Sequence, residues 1–415
     1  MRAWSRFIGI GIALGIAAAL IPFMGSRSLV STPTSPLGKA QRALFSKPVA
    51  PDFAGLDLTR LDIRPERVMA PLANGAVAEL SLDPVLQRQV SSEMRRYRMP
   101  EAGTVLMDVR TGKILVYSSF VKDGEPFDVN TRAQAPAASV FKVVTGSALI
   151  ERANLNADSR QCYHGGRSRI SRDELREDPA KDKWCATLGE AMGRSLNVVF
   201  GRLAQKHLTP DDITRAGGAF GFGSAVPFVV PNEAPTIDIP QEPIEFARAS
   251  AGFWHTTLSP LAAVGIAQTI AHDGLSLQPR IVQKLLDKGQ VTWEEEDKPK
   301  VLRRAIQVNT AKELAKMMSH TVTDGSARPA FHDGKGRPYL PGIAVAGKTG
   351  TLTKSDSERY YTWFVGFAPA DQPEVAVATL VVNTPTWLIK APDLARDALR
   401  AYFAKNNRPG VTAPN

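Results

Sequence analysis

The apolar positions of the chain fall into three regimes. Residues 7–24 form one uninterrupted apolar run, residues 25–75 show no sustained apolar period except around 53–61, and from Ala76 onward the pattern switches between the two-residue period of strands and the longer period of helices. Asp83-Pro84 opens the first helix: aspartate caps it, proline pre-sets the first turn, and Leu86, Val90, Met94 and Tyr97 line one face. Strands over 103–109 and 114–120, joined by Arg110-Thr111-Gly112-Lys113, read as a hairpin, and a loop over 122–136 follows. From Ser139 to about Ala271 the pattern is mostly helical, with a helix over 261–270 opened by Ser259-Pro260 and ended by Asp273-Gly274. Glu294-Glu295-Glu296-Asp297 reads as an exposed turn. Thr310-Ala311-Lys312-Glu313 reads as a capping box that starts a helix with Leu314, Met317, Met318, Thr321 and Val322 on its face. Strands over 342–351, 362–367 and 374–382 and a helix over 393–405 end the pattern.

Two strands, many helices, three strands and a helix predict an α+β protein of two lobes. A mostly antiparallel five-stranded sheet flanked by helices is completed by the first hairpin, and the helical insert forms an all-helical second lobe. The domain is expected over 76–405, with a linker over 25–75 and a tail over 406–415. Arg2 and Arg6 precede the apolar run of roughly 18 residues, near the lower limit for a bilayer span, and place the N-terminus in the cytoplasm. Residues 1–24 are therefore read as a single-pass inner-membrane anchor in preference to a cleaved signal peptide, since no clean Ala-x-Ala site follows; either reading exports the remainder.

The composition of the 415 residues, 43% hydrophobic and 22% charged, is that of a globular protein. The net charge of +10 is scattered, which suits an anionic setting such as cell wall or membrane and argues against nucleic-acid binding. Cys162 and Cys185, 23 positions apart in an exported chain, read either as a disulfide or as two buried thiols. The six histidines show no metal-ligand spacing, so no metal and no cofactor is expected.

The chemistry centres on Pro136-Ala137-Ala138-Ser139-Val140-Phe141-Lys142. On a helix, residues three apart share a face, so the Lys142 amine reaches the Ser139 hydroxyl. A base is needed there, and an ordinary lysine is protonated; the positive end of the helix dipole and burial against Val140, Phe141 and Val143 both lower its pKa. Two more motifs follow in order, Ser195-Leu196-Asn197 in the helical lobe and Lys348-Thr349-Gly350-Thr351 on the first of the last three strands. Taken singly, each has an ordinary explanation as a helix cap or a strand end.

Together, in this order, the motifs make the chain resemble the penicillin-binding protein family, whose transpeptidase domain carries Ser-x-x-Lys, Ser-x-Asn and Lys-Thr-Gly. The resemblance extends over about 76–405 and takes in Leu80 to Gln87, Ser259-Pro260, Gly325-Ser326-Ala327 and Trp363-Phe364-Val365-Gly366. It implies a penicillin-binding, β-lactamase-like fold and a serine D,D-transpeptidase of peptidoglycan synthesis. Ser139 would attack a D-alanyl-D-alanine stem peptide, Lys142 would take its proton, Ser195 would relay a proton to the departing D-alanine, and Asn197 would hold the substrate amide and fix Lys142. The backbone N–H groups of Ser139 and Thr351 would form the oxyanion hole. Lys348, Thr349 and Thr351 would bind the terminal carboxylate, and Gly350 would leave room for the substrate backbone. The partners implied are peptidoglycan stem peptides, β-lactam antibiotics, the inner membrane and the cell-wall synthesis machinery, with the catalytic domain on the periplasmic side.

No Glu-Asp-x-x-Phe-x-x-His motif precedes the domain, which suggests a monofunctional transpeptidase. The alternatives are a D,D-carboxypeptidase or serine β-lactamase, in which water replaces the amine, and a non-catalytic β-lactam sensor or scaffold. Glu151-Arg-Ala-Asn-Leu155-Asn156 resembles the deacylating loop of class A β-lactamases, but it precedes Ser195 and is one residue too long, so it reads as an ordinary helix end.

Overall fold

The computed structural model describes residues 51–166, 169–354, 358–385 and 387–414. The Asp83 carboxylate accepts from the N–H groups of Val85 and Leu86, and helix α1 (Pro84–Tyr97) starts where the sequence predicts. Strands β1 (Glu101–Asp108) and β2 (Ile114–Val121) form the expected hairpin. Asp108 accepts from the Arg110 and Thr111 N–H groups in the turn, and Gly112 there has φ +74°.

A 3-10 turn, Ala138–Phe141, leads into α2 (Lys142–Ala153). Helices α3 (Leu188–Arg194), α4 (Asn197–His207) and α5 (Pro260–Ala271) follow, then α6 (Val308–Thr323), β3 (Ala346–Lys354), β4 (Arg359–Ala368), β5 (Val375–Asn383) and α7 (Ala391–Lys405). The five strands form one antiparallel sheet in the order β3-β4-β5-β1-β2, so the first hairpin does complete the sheet of the last three strands. Every residue of the central strand β5 is buried, because helices cover both of its faces; this is why its sequence is nearly continuous in apolar residues. Helices α1 and α7 pack on one face, while α5 and the helical lobe pack on the other.

Several expectations are corrected. The middle of the chain is not uniformly helical: Arg160–Tyr163 and Trp184–Thr187 pair as a short antiparallel hairpin, and Cys162 is disulfide-bonded to Cys185 directly across it. Strand β3 begins later and ends later than predicted, and β4 is longer at both ends. Helix α6 starts two residues before the predicted capping box. Thr310 is buried within its first turn, and the Glu313 carboxylate accepts from the Ala157 N–H at 2.7 Å, tying α6 to the lobe. In the run 294–297, Glu295 and Asp297 flank the buried Arg280 guanidinium, and Asp297 also pairs with Lys113.

The expected linker over 25–75 ends earlier than predicted. From Asp52 the chain belongs to the folded unit, where Asp62–Ile63, Val68–Pro71 and Val77–Leu80 join Val282–Asp287 and Gln290–Glu294 in a second five-stranded sheet. Leu56, Leu58, Val68, Ala70 and Leu72 are buried there, their pattern broken in sequence by turns and prolines. The expected tail packs back as well, since the side chain of Gln89 donates to the Pro414 carbonyl and that of Arg400 to Thr412. The apolar run over 7–24 lies outside the described residues; among those described, no helix is long and apolar enough to cross a membrane.

Candidate active site

Ser139 sits on the 3-10 turn immediately before α2, and two hydrogen bonds hold the residues that lead into it. Trp363, fully buried on β4, donates its indole N–H to the Pro136 carbonyl at 2.9 Å, and the Ala137 N–H donates to Thr256 O at 3.0 Å. Ala138 adopts φ +51°, a left-handed conformation that costs a non-glycine residue about 1 kcal/mol. Glycines make room for it. A Cβ on Gly252, itself at φ +88°, would lie 2.2 Å from Ala138 O. A Cβ on Gly350 would lie 3.2 Å from Ala138 Cβ and from Trp363 Cβ, so the missing side chain at Gly350 leaves room for the Ser139 turn and the tryptophan.

Lys142 is fully buried, and its Nζ lies 2.9 Å from Ser139 Oγ, 2.7 Å from Asn197 Oδ1 and 2.6 Å from the Ala251 carbonyl. Burial, reinforced by the nearby Lys348 charge, holds its pKa well below the ordinary lysine value. A neutral amine has two N–H groups and one lone pair. The two fixed carbonyl acceptors, on Asn197 and Ala251, take the N–H groups and leave the lone pair facing the serine hydroxyl.

The second motif lies where two helices meet. Ser195 ends α3 at φ +57°, and Asn197 begins α4 two residues later, so the tight reversal turns both toward the cleft. The third motif lies on β3, an edge strand of the sheet. Lys348 is fully buried, donates to Ser195 Oγ and to Thr349 O at 3.0 Å each, and is lowered by burial to about 7.

A cleft of about 420 Å³ brings Ser139, Ser195, Asn197, Thr349 and Thr351 together. Lys142, Lys348 and Gly350 lie behind its lining. Cys162 and Cys185 are outside it. The cleft also contains residues to which the sequence reading gave no role: Arg194, Phe253, Leu352 and Ser326, whose hydroxyl is 2.6 Å from that of Thr349. Ser326 had a signal in Gly325-Ser326-Ala327. A Cβ on Gly325 would lie 2.3 Å from Gly193 O, so glycine there lets Ser326 close against α3, where its N–H donates to the same carbonyl. The other three are brought in by tertiary approach and carry no local signal.

An antiparallel sheet whose edge strand carries Lys-Thr-Gly, facing a Ser-x-x-Lys pair with a buried lysine under a helical lobe, defines a protein of the penicillin-binding class. The profile of the penicillin binding protein transpeptidase domain matches residues 102–400, and the chain belongs to that family. Stage V sporulation protein D of Bacillus subtilis is 25% identical over 337 residues, covering 75% of this chain and 50% of that protein. The peptidoglycan D,D-transpeptidase PbpA of Mycobacterium tuberculosis is 25% identical over 391 residues, covering 84% of this chain and 72% of that one. The chain thus spans half the length of the first relative and about three quarters of the second. The D,D-transpeptidase domain of a peptidoglycan glycosyltransferase from Eggerthella lenta superimposes with a TM-score of 0.66 at 23% identity, over 80% of this chain and 84% of that one. The imipenem acyl-enzyme complex of penicillin-binding protein A from M. tuberculosis gives 0.64 at 23%, over 79% and 80%. At these identities the solved structures establish the fold.

Proposed function

We propose that the chain is a peptidoglycan D,D-transpeptidase, acting on D-Ala-D-Ala stem peptides and acylated at the same serine by β-lactams. The observation that carries this reading is the coordination of Lys142, which leaves a buried amine with its lone pair on Ser139. Ser139 Oγ attacks the carbonyl of the penultimate D-alanine while its proton passes to Lys142. The backbone N–H groups of Ser139 and Thr351 hold the oxyanion. The C–N bond then breaks, and the departing D-alanine amine takes a proton through Ser195, which Lys348 contacts. Lys348, Thr349 and Thr351 hold the terminal carboxylate. An amine of a neighbouring stem attacks the ester, forming the cross-link and freeing Ser139.

Among the described residues the lining of the cleft holds no carboxylate of the kind that activates the deacylating water of a class A β-lactamase. Glu151 instead caps the start of α6, accepting from the Gln307 N–H at 2.9 Å. The N-terminal apolar run would tether the enzyme to the inner membrane with the cleft on the periplasmic side, within reach of the cell-wall synthesis machinery.

The test is the intact mass of the protein over time with benzylpenicillin, beside Ser139→Ala. A long-lived adduct absent from the variant, together with cross-linked products from stem-peptide substrates, is the expected result. An adduct that turns over within seconds would make the protein a β-lactamase. No adduct at all would leave the scaffold reading.

A further inference from the structure

A second basin of about 480 Å³ adjoins the catalytic cleft and shares Arg194 and Ser326 with it. Its remaining lining is Tyr163, Leu196, Asp324 and Gly325. We infer that this basin, with the disulfide-bonded hairpin that walls it, docks the acceptor stem peptide and the glycan strand that carries it. The inference rests on the transpeptidase reading and concerns its second half-reaction.

The position follows from the chemistry. In that half-reaction the acceptor nitrogen attacks the ester carbon of acyl-Ser139; the C–N bond forms, the C–Oγ bond breaks, and the amine proton passes through Ser195 and Lys142 to Ser139 Oγ. This is acylation run backwards with a new amine, so the acceptor nitrogen must stand where the D-alanine nitrogen left. The leaving D-alanine is held at the Thr349 end of the cleft. Ser326, 2.6 Å from Thr349, marks that end and is also the rim of the second basin. Leu352, farther along β3, marks the opposite, donor end. The body of the acceptor therefore has the second basin in front of it.

The lining suits such a ligand. Arg194 and Asp324 offer opposite charges to a peptide that carries both carboxylates and an amine. The ion pairs of Arg194 with Asp324 and Glu190 are loose, at 3.9 and 3.8 Å, so its guanidinium has donors for a ligand carboxylate. Tyr163 faces Trp184 directly across the hairpin, with ring centroids 6.2 Å apart, and Trp184 is 58% exposed. A large exposed ring beside a polar basin is a stacking surface for the apolar face of a sugar.

The platform is also rigid. The disulfide joins the strands one residue from the aromatic pair. The buried Arg202 donates to Cys162 O at 2.9 Å and pairs with Asp182 at 2.8 Å. Arg202 lies on α4, the helix that begins with Asn197, so one element sets both the Lys142 contact and the hairpin.

The test uses the full chain, a D-Ala-D-Ala donor, and two acceptors: a disaccharide-linked stem peptide and free glycine. The readout is the ratio of aminolysed to hydrolysed product per acyl-enzyme formed, by mass spectrometry. Trp184→Ala is expected to lower that ratio about fivefold or more for the glycan-linked acceptor and not for glycine, the loss of one aromatic contact, with recovery in Trp184→Phe. An unchanged ratio with the glycan-linked acceptor, or an equal fall with both acceptors, overturns the docking site while leaving the transpeptidase reading intact. Absence of any acyl-enzyme in the unaltered protein removes that reading, and the docking site with it.

Discussion

In the proposed mechanism Lys142 serves as a base while it is neutral and Lys348 binds a carboxylate best while it is charged, so two buried lysines in one cleft have opposite requirements. Deprotonation of Lys142, which burial moves well below the ordinary lysine range, activates, while deprotonation of Lys348, at about 7, inhibits. The kcat/KM for acylation should therefore be bell-shaped, and Lys348→Arg should remove the alkaline fall because arginine does not deprotonate in this range. A fall that persists in that variant would take Lys348 out of the role. Asn197→Asp places a carboxylate where the amide oxygen now lies 2.7 Å from Nζ, which favours the ammonium. Its acid limb should move to higher pH, with acylation on that limb down about ten- to a thousandfold, as stopped-flow with a chromogenic β-lactam would measure. At this scale the sequence was informative where the chemistry demands a residue type at a fixed spacing, as at Ser139 and Lys142. It was silent on Ala251, whose carbonyl contributes through the backbone and so leaves no mark of residue type, and on Arg194 and Phe253.

Among the elements, the nucleophile turn depends most on its neighbours. Gly252→Ala would add a Cβ 2.2 Å from Ala138 O at a residue with φ +88°, and should destabilise the fold by about 1–3 kcal/mol while cutting acylation more than about tenfold by displacing Ser139. Thermal melts and acylation rates check both halves; a variant that acylates normally would show that the turn does not need this approach. Replacing Cys162 and Cys185 by serine should cost about 3 kcal/mol in urea unfolding, the stabilisation expected for a loop of this length. The elements that bury one face were legible from their periods, and α1 and α5 start at the caps the sequence predicts. The Arg160–Tyr163 and Trp184–Thr187 hairpin was not legible. Its strands are four residues each and lack a clean alternation, and a cross-link and a buried arginine from α4 hold it in place. Helix α6 was misplaced because Thr310 and Glu313 fit a local motif that tertiary contacts put to other use.

For the molecule as a whole, the boundary of the folded unit separates the sequence reading from the structure. A chain begun at Ala76 would lose Leu56, Leu58, Val68 and Leu72, each contributing about 1.5–3 kcal/mol of burial, and would bare the edge of the second sheet. It is expected to aggregate or melt well below a chain begun at Asp52; equal melting temperatures would show that the 52–75 segment is dispensable. The two-lobe architecture was legible because the strands are grouped at the two ends of the chain with helices between. The second sheet was not, since its strands are short and come from distant segments.

That distance sets the order in which the protein can be made. The Ser81 hydroxyl contacts the Arg280 carbonyl 199 positions away, β1 must wait for β5 as its second partner beside β2, and the Ser195 and Lys348 side chains meet across 153 positions. The second sheet cannot close on a nascent chain until residues 282–294 have emerged, nor the first until residues 346–383 have, which predicts slow folding dominated by non-local pairing. A chain that stops before residue 346 has Ser139 and Lys142 but no β3 beside them. Acylating power therefore arrives late in synthesis, with the closing of the sheet, and a prematurely terminated copy is expected to be inert toward stem peptides and antibiotics alike.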